Sequence, residues 1–114
     1  MSGKTVKINI AEDYTQYPGG RYPNDGEGNG ESFRAKFLVP VLDAGDRAEI
    51  ILDGTQGYPS SFLEEAFGGL VRLGYDVEKV LSSFIFKADK QSFKRFVPMI
   101  EEHIKRAGRQ AKLG

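Results

Sequence analysis

Three times along this chain, a short segment with strand-like patterning gives way to a longer one whose apolar residues recur every three to four positions. A period of two belongs to a β-strand and a period near 3.6 to an amphipathic helix. Strands that alternate with helices of crossover length pair in parallel, and their connections are right-handed. The pattern therefore predicts a small α/β domain in the order βαβαβα. A mainly parallel sheet should carry its helices on one side or on both.

The first strand is expected over Thr5-Val6-Lys7-Ile8-Asn9-Ile10, with Val6, Ile8 and Ile10 on one face. The second, Ala48-Glu49-Ile50-Ile51-Leu52, is almost wholly apolar and ends at Asp53-Gly54, as a buried strand of a parallel sheet would. The third is expected over Val80 to Lys87. The first helix should begin at Glu31, with Ser32 as its cap and Phe33, Phe37, Leu38, Val41 and Leu42 as its buried stripe. Pro40 demands a bend or an early end there. Asp43 to Asp46 reads as a turn.

Pro59-Ser60-Ser61 opens the second helix, with a Ser as N-cap and Ser61 and Glu64 spaced as a capping box. Its stripe is Phe62, Ala66, Phe67, Leu70, Val71 and Leu73, and Gly74 closes it. A last helix runs from about Asp89 to Ala107, kinked or split near Pro98, with Phe93, Phe96, Val97, Ile100 and Ile104 inward.

With 114 residues, 39% of them hydrophobic and eight of them Phe, residues 1–114 form a single domain with its own core. There is no Cys, which excludes a disulfide framework and a thiolate metal site. Lys and Arg number 16, as do Asp and Glu, so the net charge is zero. A nucleic-acid binder carries a positive surplus, because phosphate contacts dominate its affinity. Only the tail, residues 105–114, leans that way. Lys105, Arg106, Arg109 and Lys112 read there as cations favoured by a helix C-terminus. The start, Met1-Ser2-Gly3-Lys4, lacks the apolar stretch of a signal peptide. No apolar run approaches the roughly 20 residues of a membrane helix. The chain is expected to be soluble and cytoplasmic.

Two loops concentrate the residues that carry chemistry, and both leave the carboxyl edge of a parallel sheet, where ligand sites gather. The first, Tyr14 to Gly30, holds Gly19, Gly20 and Arg21 and leads to Glu31 and Arg34. Loops this long in a small domain are functional or disordered. The second, Asp53 to Phe62, holds Ser60 and Ser61 and leads to Glu64 and Glu65. Each feeds a helix N-terminus, so Arg21 and Arg34 beside those amides suit a small anion or nucleotide. The alternative is that Arg21 pairs with Glu31 or Glu65 and pins the loop. Neither a P-loop nor a dinucleotide fingerprint is present.

No nucleophile elbow surrounds Ser60 or Ser61. His103, the only histidine, is expected on the surface of the last helix, away from them. Glu64 and Glu65 are about 100 degrees apart on their helix and cannot act as an acid–base pair. The spacing of Asp25, Glu27 and Glu31 misses the calcium-loop pattern. No catalytic role, cofactor or metal is expected.

Pro18-Gly19-Gly20-Arg21, then Gly30-Glu31-Ser32-Phe33-Arg34, then Ser60-Ser61-Phe62-Leu63-Glu64-Glu65-Ala66-Phe67-Gly68-Gly69-Leu70, resemble the bacterial STAS-like family of unassigned function over about positions 5 to 90. The segment from Ile50 through Pro59-Ser60-Ser61-Phe62 is also distantly similar to the anti-sigma-factor-antagonist STAS domains. That resemblance implies a regulatory, protein-binding module. Its partner would be a histidine-kinase-like ATPase that phosphorylates Ser60, with Ser61 as the alternative. Gly19, Gly20, Arg21, Glu31, Arg34, Phe62, Glu64 and Glu65 would then form the contact and binding surface. The antagonists place an acidic residue where Pro59 stands, and they lack the Gly-rich loop, which implies a ligand or contact specific to this subfamily.

Overall fold

A computed structural model of the protein describes residues 3–113. Met1 and Ser2 of the chain start, and Gly114 of the basic tail, lie outside the described residues. Strands β1 (Thr5–Asn9), β2 (Arg47–Ile51) and β3 (Phe84–Lys87) form one sheet in the order β1-β2-β3. Both pairs are parallel, with Ile8 opposite Ile50 and Ile50 opposite Phe86. Because each crossover steps the same way along the sheet and is right-handed, the connecting helices fall on one face. That face carries Ile8, Ile10, Ala48, Ile50, Leu52 and Phe84, all buried. The other carries Lys7, Glu49, Ile51, Ile85 and Lys87, none of them buried. β2 is thus buried on one side only, not on both as its apolar run suggested.

Helix α1 covers residues 30–44: a regular turn over Gly30–Phe33, a wide π-helical turn over Arg34–Leu38, and a regular end over Val39–Ala44. Its cap is Asn29, whose Oδ1 accepts the Ser32 N–H at 2.8 Å, so Ser32 lies inside the helix instead of capping it. Pro40 neither ends nor splits the helix. The wide turn just before it, in which the Val39 N–H reaches back to the Arg34 carbonyl, relieves the ring's crowding against the preceding turn. The helix continues through Asp43 and Ala44 and stops at Gly45, in the left-handed region at φ 70°.

Helix α2 covers residues 60–72, again with a wide turn, Glu64–Gly68, between regular segments. Phe62, Ala66, Phe67, Leu70 and Val71 are buried as the stripe predicts, while Leu73 is 60% exposed. Pro59, not a serine, holds the cap position, and no side chain caps the first turn. The Ser61–Glu64 capping box does not form, because arginines take the Glu64 carboxylate.

Helix α3 (Val77–Ser83) occupies the first half of the segment expected as the third strand. Asp76 caps it by accepting the N–H groups of Glu78 and Lys79, and β3 begins only at Phe84. The last helical region is split at Arg95, three residues before Pro98, into α4 (Gln91–Lys94) and α5 (Phe96–Leu113). α5 carries the basic tail as helix, well past Ala107.

Candidate functional site

Residues 15–29 are ordered by their own hydrogen bonds. The Gly19 N–H donates to the Gly28 carbonyl at 2.9 Å, and the Gly30 N–H to the Gly20 carbonyl at 3.0 Å. The Asp25 carboxylate accepts the N–H groups of Arg21 and Tyr22, each at 3.0 Å, which holds it below the usual carboxylate range. The Tyr14 hydroxyl lies 2.8 Å from the carbonyl oxygens of both Glu27 and Asn29. Gly20 sits at φ 81° with the Asp25 side chain where its own Cβ would be, so only glycine closes this turn. Gly19 and Gly20 therefore shape the loop that presents Arg21.

Arg21 does not pair with Glu31, which instead donates its backbone N–H to the Arg21 carbonyl at 2.9 Å. The guanidinium crosses to α2, where Nη1 lies 2.5 Å from Glu64 Oε1 and 3.3 Å from Glu65 Oε1. Arg72 reaches the same pair, at 2.6 Å from Glu64 Oε2 and 3.5 Å from Glu65 Oε1. Arg34, buried on α1, donates from Nη1 to Glu65 Oε2 at 3.0 Å and to the Glu65 carbonyl at 2.5 Å. Three arginines from the loop and two helices thus converge on two adjacent glutamates. The two guanidiniums expected to meet an anion are taken up within the protein, so the anion reading loses its donors. Gly69 makes room for this, since a Cβ there would overlap the Arg34 guanidinium.

Hydrogen bonds from Arg72, and then from Arg21, hold the Glu64 carboxyl down to about 2, against an ordinary 4.5. A depressed carboxyl adds stability above its unfolded value and loses it as pH falls through its folded value. The window is therefore pH 4.5 down to about 2. Arg21 and Arg72 are 38% and 44% exposed, so solvent screening reduces the effect to about 1–2 kcal/mol. Urea midpoints measured across that window should fall more steeply for the parent than for Glu64→Gln. Parallel curves would show that Glu64 is not tied to folding in this way.

The remaining candidates divide by burial. Phe62, placed above among binding residues, is fully buried and ring-packed 5.8 Å from Phe33 and 6.1 Å from Tyr58, so it belongs to the core and not to a contact surface. Ser61 is half-buried, whereas Ser60 is exposed at the start of α2. His103 is half-buried, not a free surface residue, and its Nε2 lies 3.4 Å from Ser60 Oγ. Burial pushes the imidazole below its ordinary pKa.

Ser60, Pro98, Met99, Glu102 and His103 line a hollow of about 320 Å³. Beside it, a groove of about 450 Å³ runs between Tyr17, Gln56, Tyr58 and Arg95. Asp53 ties this edge together by accepting the N–H groups of Asp89 and Lys90. Among the described residues, no three metal-ligating side chains converge, and no helix is long and apolar enough to cross a membrane.

Sequence reasoning missed Arg72 and Arg95, and it placed His103 on the surface away from the serines, where the structure brings it to Ser60. Arg72 lies eight residues after Glu64 on the same helix, a spacing of about two turns that was available as a signal. His103 and Arg95 reach the site only through the packing of α5, which no local pattern announces.

A parallel sheet with helices on one face, and an exposed serine opening a helix at its carboxyl edge, define a small α/β domain of STAS-like architecture. The chain belongs to the family described as the STAS-like domain of unknown function (DUF4325), whose model matches residues 29–92. No curated protein and no solved structure matches the chain.

Proposed function

We propose that this domain is a regulatory protein-binding module whose docking surface surrounds Ser60. In this reading, phosphorylation of a serine there by a kinase-like ATPase switches the contact, and the domain acts as a binder that turns over no substrate. The observation that supports it is the setting of Ser60: exposed, first in its helix, and not engaged in capping. A serine that caps a helix is held by backbone amides, whereas this one stays available for modification. A phosphate would add about two negative charges, close to the Glu64 and Glu65 carboxylates on the same helix. A partner fitted to the neutral surface would then be repelled.

A pull-down with ATP present, followed by mass spectrometry of bait and partner, tests the reading. Recovery of a kinase-like ATPase together with a bait heavier by one phosphate is the expected result. Ser60→Asp should weaken capture of the partner by at least about tenfold while leaving the fold intact. Equal capture by Ser60→Asp and parent would overturn the switch.

A further inference from the structure

Chain order offers no reason to bring His103 near a hydroxyl, yet α5 packs so that His103 Nε2 faces Ser60 Oγ at 3.4 Å. We propose that His103 is the general base for Ser60, taking the hydroxyl proton as Ser60 Oγ attacks a phosphoryl donor, and so selects Ser60 over Ser61 for modification. The inference rests on the phosphorylated-serine reading above and names the two residues that would carry it out.

The geometry supplies a nucleophile, a base and an approach. Ser60 is exposed while Ser61 is half-buried, so an incoming group meets Ser60 first. The hollow of about 320 Å³ over Ser60, Met99 and His103 gives that group somewhere to sit. No side chain caps the first turn of α2, so its amide N–H groups remain open to phosphoryl oxygens. A separation of 3.4 Å is long for a hydrogen bond, but such contacts tighten once the reacting group is bound.

A base must start without its proton. Burial favours the neutral imidazole, as do Arg106 on the same helix and Arg21 from the loop. Glu64 of α2 and Glu102 of α5 act the other way, and the balance leaves the imidazole below its ordinary pKa and neutral near pH 7. In the reaction, the bond from Ser60 Oγ to phosphorus forms and the bond from phosphorus to the leaving group breaks. The leaving group departs with the electron pair, and the hydroxyl proton passes to His103 Nε2.

A fluorophosphonate, which loses fluoride when a serine oxygen attacks its phosphorus, replaces the unidentified donor in the test. Mass spectrometry of the labelled peptide should show one adduct, on Ser60. Ser60→Ala should not label, and Ser61→Ala should label like the parent. His103→Ala should label at least about tenfold more slowly, and added imidazole should restore the rate. The parent rate should climb with pH and reach half its plateau below about 6.5, the ordinary imidazole value. An adduct on Ser61, no adduct, or parental labelling of His103→Ala would each overturn the proposal. The probe needs no kinase, so a failed pull-down with a reactive Ser60 would sink the switch reading and leave the Ser60–His103 pair standing.

Discussion

Arg34→Met is expected to lower folding stability by about 3 kcal/mol, toward the low end of what breaking a buried ion pair costs. Arg34 and Glu65 are 9% and 5% exposed, and Arg34 is the deepest guanidinium around the glutamates. Methionine fills much of the same volume but donates nothing. The Glu65 carboxylate then keeps only the longer contacts to Arg21 at 3.3 Å and Arg72 at 3.5 Å. Those residual contacts are why the loss stays near the low end. The same argument predicts that Arg34→Met combined with Glu65→Met recovers most of the loss, because no charge is then stranded. Gly69→Ala should resemble the single variant, since its methyl would occupy the guanidinium's place. Urea denaturation with an unchanged slope would measure each of these. A single variant within about 0.5 kcal/mol of the parent would show that Glu65 is reached by water and that the pair is not buried in solution.

Where the chain signals itself locally, its sequence is enough to read the fold. β1 is legible because Val6 and Ile8 alternate with polar residues, although it ends at Asn9, one residue short of Ile10. The end of α2 is legible because Gly74 sits in the left-handed region, whereas α1 runs through the turn expected at Asp43 and stops at Gly45. Residues 80–83, expected to open the third strand, are helical although Val80, Leu81 and the two serines suit a strand. The spacing of Val77, Val80 and Leu81, with the cap at Asp76, was the helical signal that competed. The early end allowed for at Pro40 does not come, whereas the split expected near Pro98 does, at Arg95. A wide helical turn accommodates Pro40, and Pro98 falls in the opening turn of α5, where a missing N–H costs nothing.

The site was legible as an inventory with one pairing, Arg21 to Glu65, which the structure forms at 3.3 Å. Arg21, Arg34, Glu64 and Glu65 were all singled out, but which carboxylate meets which guanidinium depends on a contact spanning 43 residues. His103 and Ser60 are likewise 43 residues apart. Periodicity places a residue on a face of its helix. It does not say which neighbouring element that face will meet.

Phe67→Ala is expected to cost about 3–5 kcal/mol, a large share of the margin of a domain this size. The Phe67 ring has no exposure and stands 5.4 Å from Phe86, 6.3 Å from Phe84 and 6.4 Å from Phe33. It therefore joins α2 to β3 and to α1 at once, and each contact lies edge-on, an arrangement that adds to simple burial. Truncation would leave a cavity among fixed rings that cannot collapse without moving the sheet or a helix. Leu73→Ala is the matched control. The apolar stripe of the sequence includes Leu73, yet its side chain is 60% exposed, so its loss should stay within about 0.5 kcal/mol. Chemical denaturation of both variants separates the two pictures of α2. A small effect at Phe67 with a large one at Leu73 would mean that the helix turns a different face to the sheet, and the packing that sets Ser60 against His103 would have to be redrawn with it.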